Sequence, residues 1–205
     1  MRHGSGSTET KADIAHMDKE THRSPEIRAV HDVLQAAHFA AEKHSGQRRK
    51  GATAEPYINH LLEVAELVSG ALSEPDTNLV IAALLHDTIE DTGVTKEELA
   101  QAFGTDVAEL VVELTDDKKL PKAERKRLQI VNAPKKSVRA AVVKIADKIS
   151  NLRGILSSPP IDWSVQRRRE YFEWGKQVVD ALTLPNQRLK AEFDRLYQRV
   201  ESITD

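Results

Sequence analysis

An apolar run, LVIAALL from Leu79 to Leu85, ends abruptly in HDTIEDTG. Read as a helix, the run is apolar on every side, which suits the centre of a helical bundle. Its end brings His86, Asp87, Glu90 and Asp91 together just before Gly93. At about 100° per residue, Asp87 lies about 100°, Glu90 about 40° and Asp91 about 140° from His86, so one arc holds all four. Carboxylates in the last turn of a helix oppose its dipole by roughly 0.3–1 kcal/mol each. They also repel one another beside apolar surface. A helix end open to water relieves this, and so does a bound divalent cation.

The rest of the chain reads as helices too. From Pro25, the residues Ile27, Val30, Leu34, Ala37 and Ala41 form a stripe at steps of three and four, predicted to face the core. HSGQRRKGATAEPY breaks the period with Gly46, Gly51 and Pro56 and reads as a loop. A helix resumes through INHLLEVAELVSGAL, and SEPDTN is a turn. Thr95 with Glu98 makes a capping box for a helix ending near Gly104. Val107, Leu110, Val111 and Leu114 mark another helix, and Pro121 suits the first turn of one running to Val131. SVRAAVVKIADKISNLRGIL predicts a long apolar-faced helix. Asp162 or Ser164 can cap the next, through Leu182, and Pro185 precedes or begins the last. No segment alternates with period two, and no repeat appears. The expectation is an all-α fold, a single bundle of roughly eight to ten helices. Residues 1–23 are polar and rich in Gly, Ser and Thr, so a flexible tail is expected there, with His3, His16 and His22 solvated. Residues 24–205 form the folded domain.

Composition removes several classes of function. Aromatics are 4 % of the 205 residues, so the core must come from Leu, Val, Ile and Ala. The absence of cysteine excludes disulfides and thiolate-bound zinc or iron–sulfur sites. It is compatible with the cytoplasm, the expected location. The net charge of −2 gives no general affinity for nucleic acid or an anionic membrane. No apolar run approaches the ~18 residues of a membrane span. No feature sets an oligomeric state.

Two more stretches bear on chemistry. In VVKIADKISNLR, Asp147 and Asn151 are four apart and share a helix face beside an apolar run. An acid there is either ion-paired or part of a site. In EPYINHLLEVAEL, His60 opens an apolar helix, as a hydrogen-bonded core residue or as a ligand. Together His60, His86, Asp87 and Asp147 form a two-His, two-Asp donor set without sulfur. Such a set suits Mn²⁺, Fe²⁺ or Zn²⁺ with positions left open for water and substrate.

An isolated His, an adjacent His-Asp pair and a distant Asp resemble the pattern of the HD-domain metal hydrolases. The ordered set QRRK, PYINH, AALLHDTIEDT, LTDDKKLPKAERKRLQ, KIADKISNLR and EYFEW is more specific. It resembles the small alarmone hydrolases of the RelA/SpoT family over roughly residues 26–200. The resemblance implies an HD-type bundle that hydrolyses the 3′-pyrophosphate of (p)ppGpp to GDP or GTP, usually with one Mn²⁺ ion. On matching positions, His60, His86, Asp87 and Asp147 would hold the metal. Glu90 and Asp91 would position and deprotonate the attacking water. Arg49 and Lys50 would line the nucleotide site, Asn151 the ribose side, and Lys122 and Tyr171 the phosphates or nucleoside. From the residues alone, QRRK reads equally as a solvated loop, and Tyr171, Phe172 and Trp174 as core. Arg125, Lys126, Arg127 and Arg167 to Arg169 are expected on solvated helix faces, with one reaching a distal phosphate.

Three positions depart from the family pattern. Leu61 follows His60 where proline is common, GATAE replaces a short insert, and Ser150 stands where a larger residue is frequent. Ser150 is expected to loosen the nucleoside contact. The bifunctional relatives add a synthetase domain, for which the chain has no room, so hydrolysis alone is expected. The same site could act on an adenosine alarmone or on the 2′-phosphate of NADPH. A non-catalytic nucleotide-sensing module needs the phosphate contacts but not Glu90 and Asp91.

Overall fold

A computed structural model describes residues 24–204; the tail expected at 1–23, with its three histidines, lies outside the described residues. Among the described residues, ten α-helices and two short 3₁₀ turns follow one another, with no strand beyond a single Arg48–Pro56 bridge. In chain order the helices are α1 (Pro25–Lys43), α2 (Ile58–Ala71), α3 (Thr77–Leu85), α4 (Thr88–Thr92), α5 (Lys96–Phe103), α6 (Thr105–Leu114), α7 (Lys122–Asn132), α8 (Val138–Ser157), α9 (Val165–Asp180) and α10 (Gln187–Tyr197).

Local chemistry sets most boundaries. Ser24, Asp76, Ser137, Ser164 and Asn186 each accept a backbone N–H at the start of a helix. Each such cap contributes about 1 kcal/mol. Thr95 and Glu98 form the reciprocal capping box, and Gly104, at φ 88°, stops α5. Of the two predicted caps for α9, Ser164 is used.

The core is built round α8. Residues 140 to 150 of this helix are buried without interruption, packed by α2, α10, α9, α6 and α3. The run Leu79–Leu85 lies inside the bundle too, with six of its seven residues buried. Fully burying a Leu or Ile side chain contributes about 1.5–3 kcal/mol, so these two helices are the apolar centre.

The structure corrects the sequence reading in two places. The stripe predicted for α1 reaches the core only at its C-terminal end: Ile27, Val30 and Leu34 are 57–63 % exposed, while Ala37 and Ala41 are partly buried. Ala36 and Ala40 are buried instead, with Val33, Ala37 and Phe39 packed beside them. Small side chains let α1 lie close on α3. The second correction concerns HDTIED, which is not the end of one helix. Helix α3 stops at Leu85, and α4 begins at Thr88. His86 Nδ1 bonds the Ala83 carbonyl at 2.8 Å. A side chain on that carbonyl competes with the backbone bond that would continue the helix. Glu90 and Asp91 therefore fall in the first turn of α4 rather than the last turn of α3.

Candidate metal centre and nucleotide cleft

The break after Leu85 turns the imidazole of His86 and the carboxylate of Asp87 toward α2 and α8. His60, in the first turn of α2, and Asp147, midway along α8, meet them there. Donor atoms of His60, His86 and Asp147 all lie within 4.8 Å of one another. His60 Nε2 is 3.4 Å from Asp147 Oδ1, and His86 Nε2 is 3.9 Å from the same oxygen. Asp87 Oδ2 approaches the same two nitrogens, at 3.2 Å from His86 and 3.8 Å from His60.

A cation fits this set. His86 Nε2 is buried with no hydrogen-bond partner. Such an orphan costs about 1–3 kcal/mol unless something fills it. Two imidazole nitrogens and two carboxylate oxygens facing one point can hold a divalent metal. The electrostatics agree. Burial pushes the His86 imidazole down, but Asp87 and Asp147 outweigh it and bring it up to about 9. Burial pushes Asp147 up, while Lys148 and His60 hold it well below the usual carboxylate range. Burial lowers His60, so it is neutral.

Outer groups orient the four. Asn151 Nδ2 donates to Asp147 Oδ1 at 2.6 Å, and Lys148 Nζ donates to its Oδ2 at 3.0 Å. Asn151 thus touches a metal-site carboxylate while also lining the cleft. Lys148 lies over the Trp174 ring, 4.3 Å from its centroid. The Tyr57 hydroxyl donates to Asp87. Ser150 is fully buried and bonds His60 Nδ1, Glu63 and Arg49. It therefore sits beneath the site, between His60 and the cleft residue Arg49.

Beside these residues opens a cleft of about 560 Å³. Arg49, Lys50, Lys122, Asn151 and Tyr171 all line it, with Glu90 and Asp91. Glu90 accepts from the Asp116 backbone N–H at 3.2 Å and faces Arg125 Nη1 at 3.3 Å. Burial, with Asp87, Asp116 and Asp91 nearby, raises its carboxyl above the ordinary 4.5. Asp91 accepts from Gln47 Nε2 at 2.7 Å and from Lys118. The GATAE loop is tied to the end of α8, where Thr53 N–H donates to Ser158 Oγ at 3.1 Å.

Several basic and aromatic residues differ from expectation. Arg125 is not on a solvated face but in the cleft, against Glu90. Arg169 is tied to the Ile203 carbonyl at 2.9 Å, and Lys126 lies over Tyr171 and Trp174. Arg127 is solvated and pairs with Glu124. Tyr171 faces the cleft while Phe172 is core, so the aromatic trio divides between the two roles. Trp163, not singled out from the sequence, lines the cleft with Arg167 stacked 4.6 Å from its centroid. Tyr57, Gln47, Glu63 and Lys118 were also unmarked. Tyr57 lies in the PYINH motif, three residues before His60, which was the available signal.

Known proteins resemble this chain in sequence and fold. A family model described as HD domain matches residues 36–171. The guanosine-3′,5′-bis(diphosphate) 3′-pyrophosphohydrolase MESH1 of Xenopus tropicalis is 50 % identical over 165 residues, 80 % of this chain and 92 % of that protein. Human MESH1 is 47 % identical over 167 residues, 82 % and 93 % of the two chains. A solved metazoan orthologue of SpoT, described as hydrolysing ppGpp and playing a role in starvation responses, superposes with a TM-score of 0.79 at 43 % identity. The match covers 82 % of this chain and 94 % of that one.

Proposed function

The chain belongs to the HD-domain family, in the group that includes the MESH1 hydrolases, and on that premise we propose that it removes pyrophosphate from the 3′ position of guanosine-3′,5′-bis(diphosphate). Products are GDP from ppGpp and GTP from pppGpp. The observation that carries the reading is the convergence of His60, His86, Asp87 and Asp147 directly behind Tyr57 and Asn151, which line a cleft holding Glu90, Asp91 and a set of cationic side chains.

His60, His86, Asp87 and Asp147 would hold the ion, and Mn²⁺ fits their mixed nitrogen and oxygen donors. A divalent cation there supplies Lewis-acid polarisation of a phosphoryl oxygen and a more acidic water. Glu90, raised by burial and acidic neighbours, is suited to take a proton from the attacking water. Asp91, fixed by Gln47 and Lys118, orients that water. Arg49, Lys50 and Lys122 neutralise phosphate charge, and Arg49 has the flat fork that suits bidentate contact. Tyr171 and Trp163, which line the cleft, would offer faces to the purine, and Asn151, bonded to Asp147, would meet the ribose.

The test is a turnover panel on the full chain with ppGpp, pppGpp, ppApp and NADPH, with and without Mn²⁺. Expected is Mn²⁺-dependent release of pyrophosphate from the guanosine substrates. Far faster turnover of ppApp or NADPH would overturn the substrate assignment. Binding of ppGpp without turnover would make the chain a sensor.

A further inference from the structure

Ser150 Oγ carries one hydrogen and two lone pairs, and three groups surround it. Arg49 Nη1 is 3.2 Å away, Glu63 Oε2 2.6 Å and His60 Nδ1 2.8 Å. A guanidinium can only donate, so Arg49 takes one lone pair. An ionised carboxylate can only accept, so Glu63 takes the hydrogen. One lone pair remains, and it faces His60 Nδ1. That nitrogen must then carry the ring proton, which leaves Nε2 bare. Nε2 is the atom that faces Asp147 Oδ1 at 3.4 Å and Asp87 Oδ2 at 3.8 Å. The relay is anchored further out, because Arg153 Nη1 donates to the other oxygen of Glu63 at 2.8 Å.

We propose that Ser150 is a positioning residue whose hydroxyl, oriented by Glu63, locks His60 as the Nδ1–H tautomer and ties it to the cleft arginine Arg49. The metal ligand and the nucleotide-binding arm thus share one buried oxygen. Arg49 is fixed to the same residue a second time, donating from Nη2 to the Ser150 carbonyl at 3.2 Å. The inference rests on His60 being a metal ligand, as proposed above.

Glu63→Gln tests the relay with a near-isosteric change. The new amide NH₂ cannot face Arg153, since two donors would meet. It must face Ser150, whose hydroxyl then accepts from Gln and from Arg49 and turns its hydrogen to His60 Nδ1. The ring proton moves to Nε2, the metal-facing atom. Ser150→Ala removes the relay outright and leaves Nδ1 without its acceptor.

The experiment uses the full chain, ¹⁵N-labelled and metal-free, with the His60 ring nitrogens read by NMR and Mn²⁺ affinity by calorimetry. Expected is Nδ1–H in the parent, Nε2–H in Glu63→Gln, and a mixture in Ser150→Ala. Mn²⁺ affinity should fall about 10–100-fold in both variants, the usual effect of losing a ligand-orienting partner. A His60 that stays Nδ1–H in both variants, with unchanged Mn²⁺ affinity, overturns the proposal. If the tautomer changes as stated but the parent binds no Mn²⁺, the relay stands and the metal-site assignment fails. The tautomer reading separates this role from a structural one, since loss of packing alone does not move the ring proton.

Discussion

The Tyr57 hydroxyl donates to Asp87 Oδ2 at 2.5 Å. Burial and the charge of Asp87 drive the phenol pKa far up, so the group stays a donor. Its ring stacks on His44, with centroids 5.2 Å apart at 24°, and leans on His60 at 5.4 Å. One residue thus braces the Asp87 carboxylate and the His60 imidazole, two of the proposed metal ligands. Tyr57→Phe keeps the ring and removes the bond. Mn²⁺ affinity should fall about tenfold, as it does when outer partners of metal ligands are lost. Calorimetric titration checks this, and an unchanged affinity would show that Asp87 needs no donor.

Glu90 should set the acid limb of the pH–rate profile. A general base works only when deprotonated, so activity falls as pH drops through its pKa. Burial and the charges of Asp87, Asp116 and Asp91 raise that pKa, so the limb should lie above the ordinary 4.5. Glu90→Gln should lower kcat by about 10²–10⁴, leave KM near its parent value and remove this limb. Asp116→Asn takes away one raising charge and should move the limb to lower pH. A Glu90→Gln enzyme with parent kcat would mean another group takes the proton.

Much of the fold was legible because local chemistry decides it. The capping box at Thr95, the stop at Gly104 and the long α8 need only neighbours in sequence. His60, His86, Asp87 and Asp147, which the fold brings together, could be marked because spacing and residue type together are rare. What stayed hidden depends on distant partners. The break after Leu85 follows from His86 reaching the Ala83 carbonyl, a choice that helix propensity does not record. Arg125 reads as a surface cation until Glu90 is placed 3.3 Å away. The bonding of Ser150 is not readable either until Arg49, 101 positions earlier, is brought onto its hydroxyl.

Helix α1 gives a stability test of which face is buried. Its apolar residues Ile27, Val30 and Leu34 are mostly exposed, while Ala36 and Ala40 are fully buried. Leu34→Gln should change unfolding free energy by no more than about 0.5 kcal/mol, as surface substitutions usually do. Ala40→Leu should cost about 1–3 kcal/mol by forcing side-chain atoms into a filled contact. Denaturant titration distinguishes the two, and the reverse order would restore the face read from periodicity.

Gly154 separates stability from substrate binding. It lies on α8 directly under Arg49, and a Cβ there would be 2.7 Å from Arg49 Nη2 and 3.3 Å from its Cζ. The obstructed group is the far end of a flexible side chain, so the backbone need not move. Alanine in a helix interior is worth roughly 0.5–1 kcal/mol over glycine. Gly154→Ala should therefore push the guanidinium out of its position, and because the two bonds it gives up at Ser150 offset the helix gain, Tm should stay near its parent value or fall slightly. A charge-assisted hydrogen bond is worth about 1.5–3 kcal/mol, so KM for ppGpp should rise about tenfold or more if Arg49 holds phosphate or guanine from where it now lies. Because Glu90 and Asp91 are untouched, kcat should change far less than KM. Steady-state kinetics beside a thermal melt reads both effects from one variant. A parent KM would show that Arg49 serves the substrate from another rotamer, or not at all.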